Sequence, residues 1–243
     1  MAKAFPDHPN LVDGYAPLQM ESDAPNIVIE GLIPADLHGT LYRNGPNPQF
    51  APRGAYHWFG GDGMIHAFFI ENGKISYKNR WARTMNWTLE NEAGEALFSA
   101  FDPSKSDPRV VNMETNGLAN TNIVWHGNKL LALVESHPPF EMDPSTLSSK
   151  GSWTYTDKLQ GPMTAHPKID PETGEMLSFG YNADGAISPK MSYHVISKNG
   201  QLEKSEWFDA PYPAMVHDFV TTRDHVIFPI MPLTGSMERA MKG

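Results

Sequence analysis

The chain has 243 residues, a hydrophobic fraction of 40 % and a formal net charge of −9. That apolar content supports one large β domain or two smaller ones, while the acidic balance, with no Lys/Arg cluster, argues against a nucleic-acid partner. Cysteine is absent, which excludes a disulfide framework, a thiolate metal site and a cysteine nucleophile.

In chain order, Met1 to His8 lacks the apolar run of a secretory signal, and no stretch approaches the roughly 20 apolar residues of a membrane span. The expectation is a cytoplasmic protein, with peripheral membrane contact left open. Residues 1–40 read as an arm leading into the fold, with Ile27-Val-Ile-Glu-Gly31 as an edge strand. Arg43-Asn44-Gly45-Pro46-Asn47-Pro48 and Phe59-Gly60-Gly61-Asp62-Gly63-Met64-Ile65-His66 are dense in turn formers and read as tight turns framing a strand. The second lacks the Lys and Ser/Thr of a phosphate loop.

Beyond this point alternation with period 2 is widespread and helical periodicity is scarce. Hairpins are expected at Asn72-Gly73, Gly127-Asn128, Thr173-Gly174, Asn199-Gly200 and Arg223-Asp224. Asn-Gly pairs are strong cues because a type I′ turn needs positive φ at both central residues. Gly73 to Gly127 is 54 residues, Gly127 to Gly174 is 47, and Gly174 to Asp224 is 50. A second hairpin near Gly200 divides the last interval. Four strands per interval of that length are the pattern of a propeller blade; a β-sandwich is the alternative. Residues 93–115, with two Asp-Pro pairs and few apolar pairs, interrupt the pattern and read as a loop or short helix inserted between blades.

His166 and His217 lie 51 residues apart, eight and seven residues before a hairpin turn. Equivalent positions in successive repeats could supply two imidazoles to one metal ion, since imidazole is the commonest protein metal ligand. The alternative is two satisfied polar strand residues. His66 stands at the same phase before Gly73 and is a third candidate on spacing alone. Glu135 ends the apolar run Lys129-Leu-Leu-Ala-Leu-Val134, so it either meets solvent, the first reading, or faces a polar site.

Seven segments taken together resemble the carotenoid cleavage oxygenase family. They are Leu41-Tyr-Arg43-Asn-Gly-Pro46, His57-Trp-Phe-Gly-Gly-Asp62-Gly-Met-Ile-His66, Ala119-Asn-Thr121-Asn122, Leu131-Ala-Leu-Val-Glu135, Asp143-Pro-Ser-Thr-Leu147, Thr164-Ala-His166-Pro-Lys-Ile-Asp-Pro171 and Val216-His217-Asp218-Phe219. The resemblance implies an all-β, seven-bladed β-propeller, of which residues 1–243 would form roughly the first four blades. It implies a non-haem Fe(II) held by four histidines, with His166 and His217 matching the first two. Glu135 matches a glutamate that hydrogen-bonds a ligand histidine, replacing the solvent reading. Thr121 matches a position that crowds an open iron site, and His66 matches a residue outside the ligand set. The implied reaction is dioxygenase cleavage of a conjugated C=C bond by O₂, giving carbonyl products from an apolar polyene.

Stilbene-cleaving members grip a phenol with a Tyr and a Lys. Phe101 and Val134 stand at those places here, which favours a carotenoid or apocarotenoid over a stilbene. Stilbene cleavage, isomerisation of a retinoid and a non-catalytic propeller scaffold are the competing expectations. After His217 only His225 remains, too close to serve another blade, so the expectation is an N-terminal half whose third and fourth ligands lie elsewhere and which is inactive alone.

Overall fold

A computed structural model describes residues 3–100, 102–111, 113–236 and 238–239. Three four-stranded antiparallel sheets follow one another along the chain. The first holds β1 (Ser22–Ala24), β2 (Gly39–Pro46), β3 (Gly63–Glu71) and β4 (Lys74–Trp81), in the order β1-β4-β3-β2. The second is a simple meander of β5 (Asn122–His126), β6 (Lys129–Leu133), β7 (Phe140–Met142) and β8 (Ser149–Ser152). The third repeats that meander with β9 (Lys168–Ile169), β10 (Met176–Tyr181), β11 (Lys190–Ile196) and β12 (Leu202–Asp209). A hairpin of β13 (Val220–Thr221) and β14 (Val226–Ile227) begins a further sheet. This is the all-β, partial-propeller architecture expected from the repeat spacing, with three whole blades and the start of a fourth among the described residues.

The blades stack through their faces. Along β6, Leu130 and Ala132 point into a core shared with Ile65, Ala67, Phe140 and Met142 of the first two blades. Leu131 and Leu133 point the other way, onto Met163, Met176 and Ile196. Successive strand side chains alternate faces, so a strand buried on both sides reads as an unbroken apolar run. A third cluster of Phe179, Met191, Val216 and Phe219 joins the third blade to the segment around β13.

All five expected hairpins form. Two turns use a related sequence, Asp143-Pro-Ser-Thr146 and Asp170-Pro-Glu-Thr173. In each, one carboxylate oxygen accepts the backbone N–H groups two and three residues on, at 2.8–3.0 Å. These are side-chain-closed turns of the kind Asp favours.

Three local expectations change. The outer strand of the first blade is β1, paired with β4, rather than Ile27–Gly31. Pro25 has no N–H to give, Asn26 turns the chain with φ +53°, and Val28 stands almost fully exposed. The segment Arg43–Pro46 is strand, paired residue for residue with β3, rather than a turn. Its proline ends the strand, where a missing donor costs little. The helix α1 (Met85–Ala93) lies before the inserted segment. The Thr84 hydroxyl accepts the Trp87 N–H at its start, and Gly94 closes it with φ +69°. Among the described residues that follow, a 3₁₀ turn forms at Pro103–Lys105.

Candidate metal centre

The antiparallel pairing of β9 with β10 places the start of one beside the end of the other, and β5 with β6 repeats this. His166 stands just before β9, His217 just before β13, and Thr121 just before β5, while Glu135 and Tyr181 follow or end β6 and β10. The second and third blades therefore each carry these polar residues at one and the same end. Asparagines hold these starts in place. Asn44 of β2 donates to the carbonyls of Ala119 and Asn122 at 2.8 and 2.9 Å, and Asn122 donates to that of Ala165 at 2.8 Å. The Thr164 hydroxyl then accepts the His166 N–H at 3.0 Å.

The His166 and His217 Nε2 atoms are 3.1 Å apart, with the rings inclined at 65°. The His217 Nδ1–H donates to Glu135 Oε2 at 2.8 Å, and Tyr181 donates its hydroxyl to Glu135 Oε1 at 2.9 Å. Glu135 thus sets the ring of His217 and the nitrogen that keeps its lone pair, the arrangement found behind metal-bound imidazoles. Burial, and next the neighbouring His217, hold the His166 imidazole below its ordinary pKa, which favours the neutral, ligating form.

The separation tests whether a metal would fit. Two nitrogens at about 2.1 Å from one ion and at right angles to each other lie about 3.0 Å apart. The observed 3.1 Å meets that distance. Among the described residues no group of three or more His, Asp or Glu side chains gathers as a metal site, and the candidate here is the imidazole pair. Imidazole nitrogens with a carboxylate one step removed suit divalent iron, copper, nickel or zinc rather than magnesium or calcium.

Thr121 lies at the same end and is exposed, but its hydrogen bonds go to the side chain of Asn120 and the carbonyl of Leu133. None joins it to the imidazoles. His66 is remote from the pair in role: its Nδ1 meets the Tyr77 hydroxyl at 2.7 Å, and burial pushes its pKa down to about 4. Phe101 falls outside the described residues. Sequence reasoning missed Tyr181, although it ends β10 much as Glu135 follows β6. It also missed the ion pair of Lys168 with Asp218 at 2.8 Å, which ties the segments carrying the two histidines together.

Beside Glu135, Val134, Ser136 and His137 line a cavity of about 250 Å³ that reaches Asp62, Asn86, Glu90 and Ser99. A second, more open cavity on the other side of Ser136 and His137 contains Glu135 and Tyr181. Gly117 lets His137 in: a Cβ there would approach its Nδ1 to 2.6 Å. Among the described residues, no helix is long and apolar enough to cross a membrane.

Comparison with known proteins places the chain in a family. The family model for retinal pigment epithelial membrane protein matches residues 15–243. An isoeugenol monooxygenase of Pseudomonas nitroreducens is 39 % identical over 98 % of this chain and 50 % of its own length. A carotenoid cleavage oxygenase of Neurospora crassa is 38 % identical over 96 % of this chain and 44 % of its own length. The crystal structure of a lignostilbene dioxygenase from Pseudomonas brassicacearum superposes with a TM-score of 0.93 at 38 % identity, covering 100 % of this chain and 51 % of that one. The chain spans about half the length of the curated relatives it matches. With the blades, the paired imidazoles and these matches together, the chain belongs to the retinal pigment epithelial membrane protein family of carotenoid cleavage oxygenases.

Proposed function

We propose that the protein cleaves a C=C bond of a conjugated, apolar alkene oxidatively, with O₂ as co-substrate and carbonyl compounds as products. His166 and His217 are two of the ligands of a non-haem Fe(II), Glu135 orients His217, and Thr121 stands beside an open position of the ion. The remaining ligands come from outside the described residues. The observation that carries this reading is the 3.1 Å approach of two Nε2 atoms, one of them backed by a carboxylate.

Ferrous iron, when bound, supplies the redox chemistry that activates O₂. The chain's own residues do the rest. Neutral imidazoles leave the ion its full charge, and the Glu135 carboxylate stabilises the His217 ring without occupying a coordination position. The apolar walls of the adjoining cavity, among them Phe50, Phe98, Leu118 and Val134, hold hydrocarbon and exclude water.

The substrate is a carotenoid or apocarotenoid in the first reading. Val134 places an aliphatic side chain where a lysine would be needed to grip a phenolate. A compact aryl alkene of stilbene or isoeugenol type is the second reading, supported by the cavity's size of about 250 Å³. The test incubates the protein of the uninterrupted reading frame, loaded with Fe(II), with one substrate of each class under O₂. Aldehydes are expected from one class and none after His217→Ala. No carbonyl product from either class would overturn the proposal. Residues 1–243 alone are expected to yield none.

A further inference from the structure

Glu135 acts across the stack of blades. It follows β6 of the second blade, yet its Oε2 accepts the Nδ1–H of His217, which stands before β13 at the start of the fourth. Tyr181 lies between them, as the last residue of β10 in the third blade, and gives its hydroxyl to Glu135 Oε1 at 2.9 Å. Among the described residues these are the groups that donate to the carboxylate, one to each oxygen.

The phenol is held more firmly than the carboxylate it meets. Tyr181 pairs with Met191 across the β10–β11 ladder. Just past it Asn182 turns the chain with φ +50°, and the Ala183 N–H returns to the Lys190 carbonyl at 2.9 Å. The ring packs on the cluster of Phe179, Met191, Val216 and Phe219. Val216 and Phe219 flank His217 and Asp218 in the chain, so one apolar cluster seats both the phenol and the segment that carries the imidazole. The Glu135 side chain, by contrast, is 23 % exposed and borders an open cavity together with Tyr181. The terminal torsion of a glutamate is broad and nearly twofold, so a single bond to His217 would let the carboxylate swing or exchange its oxygens. Water in that cavity can satisfy either polar group. What the tyrosine adds over water is a fixed place.

We propose that Tyr181 is a positioning residue of the metal centre: its hydroxyl fixes the orientation of the Glu135 carboxylate and, through it, the ring of His217. This deepens the proposed function and rests on its metal reading. A preorganised site holds its ligands to within about 0.5 Å by means of packed, hydrogen-bonded neighbours, and Tyr181 supplies both the packing and the bond. Burial, and next the charge of Glu135, hold the phenol above its ordinary pKa, so it remains a donor throughout the neutral range. Among the described residues no hydrogen bond joins Tyr181 to either imidazole, so its route to the metal runs through Glu135.

That route is open to test. Co(II) is titrated anaerobically into the apo form of the protein of the complete reading frame, and the visible bands of the bound ion are recorded. The variants are Tyr181→Phe, Glu135→Ala, the two combined, and His217→Ala. Tyr181→Phe removes one oxygen and keeps the ring in its cluster. It should weaken Co(II) binding about threefold, the smaller end of one hydrogen bond net of exchange with water, and shift the bands. In the Glu135→Ala background the same substitution should change neither, because the group it acts through is gone. Unchanged affinity and bands in Tyr181→Phe would overturn the proposal. So would an equal loss with and without the Glu135 side chain, which assigns the tyrosine to blade packing alone. If the double variant does not fold, the bands of Tyr181→Phe decide, and unshifted bands overturn the proposal. In each of these cases a large loss in His217→Ala leaves the metal reading standing. Wild-type Co(II) binding in His217→Ala would overturn that reading and the proposal together.

Discussion

Replacing Glu135 by Gln keeps the shape of the side chain and removes its charge. In the native arrangement one oxygen accepts from His217 Nδ1 at 2.8 Å and the other from Tyr181 at 2.9 Å. The amide can still accept from His217 through its carbonyl while its NH₂ faces the Tyr181 oxygen, so the ring stays oriented. What is lost is the charge assistance. Hydrogen bonds to charged groups contribute about 1.5–3 kcal/mol net, against about 1 kcal/mol for neutral ones. The His217 side chain is 54 % exposed, so solvent screening places the loss toward the lower end of that difference. At about 0.7 kcal/mol the expected effect is a roughly threefold weaker metal affinity. Glu135→Ala also frees the ring and should lose closer to a hundredfold. The assay is anaerobic titration with Fe(II), with Co(II) as a spectroscopic substitute, on wild type, both Glu135 variants and His217→Ala. Wild-type affinity in Glu135→Gln and Glu135→Ala, with a large loss in His217→Ala, would refute the role assigned to Glu135. Unchanged affinity in His217→Ala would refute the metal pair itself.

Leu131 is 1 % exposed between the second and third blades. Leu131→Ala should cost about 2–5 kcal/mol through lost burial and a residual cavity, read as a lower midpoint in urea; a loss under 1 kcal/mol would refute tight blade stacking. Gly127 has φ +56°, and a Cβ there would run into the Gly200 backbone, whereas Gly73, at φ +70°, has nothing within 4 Å. Gly127→Ala should therefore destabilise the protein clearly more than Gly73→Ala, which bears only the backbone strain of about 1 kcal/mol; equal losses would refute the contact between those hairpins. Asp62 is held up to about 7 by burial and then by Glu90. A carboxyl raised on folding contributes stability that is full below its unfolded pKa and is lost as pH rises through the folded value. Denaturation midpoints should thus carry a falling component from pH 3.8 to about 7 that flattens above 7 and is absent in Asp62→Asn. An identical pH profile in that variant would refute the raised Asp62 pKa.

What residues demand of their own backbone was legible in the chain itself. Asn72-Gly73, Gly127-Asn128 and Asn199-Gly200 supply residues that tolerate positive φ, and their spacing set the blade interval. The run Leu130 to Leu133 was legible as an apolar strand, and the repeat phase raised His166 and His217 together with His66. Spacing could not discard His66, whose partner Tyr77 lies on the neighbouring strand. Nor could it show that Arg43–Pro46 is strand, because β3 supplies the pairing that overrides the turn-forming composition. Tyr181 reaches Glu135 across 46 positions, and Glu135 reaches His217 across 82. Such distances depend on how blades stack, which follows from the fit of whole apolar faces rather than from any local pattern. The same holds for Asp62 and Glu90: two acids in turn and helix segments look solvated in sequence, and only the packing of α1 against the first blade buries them together.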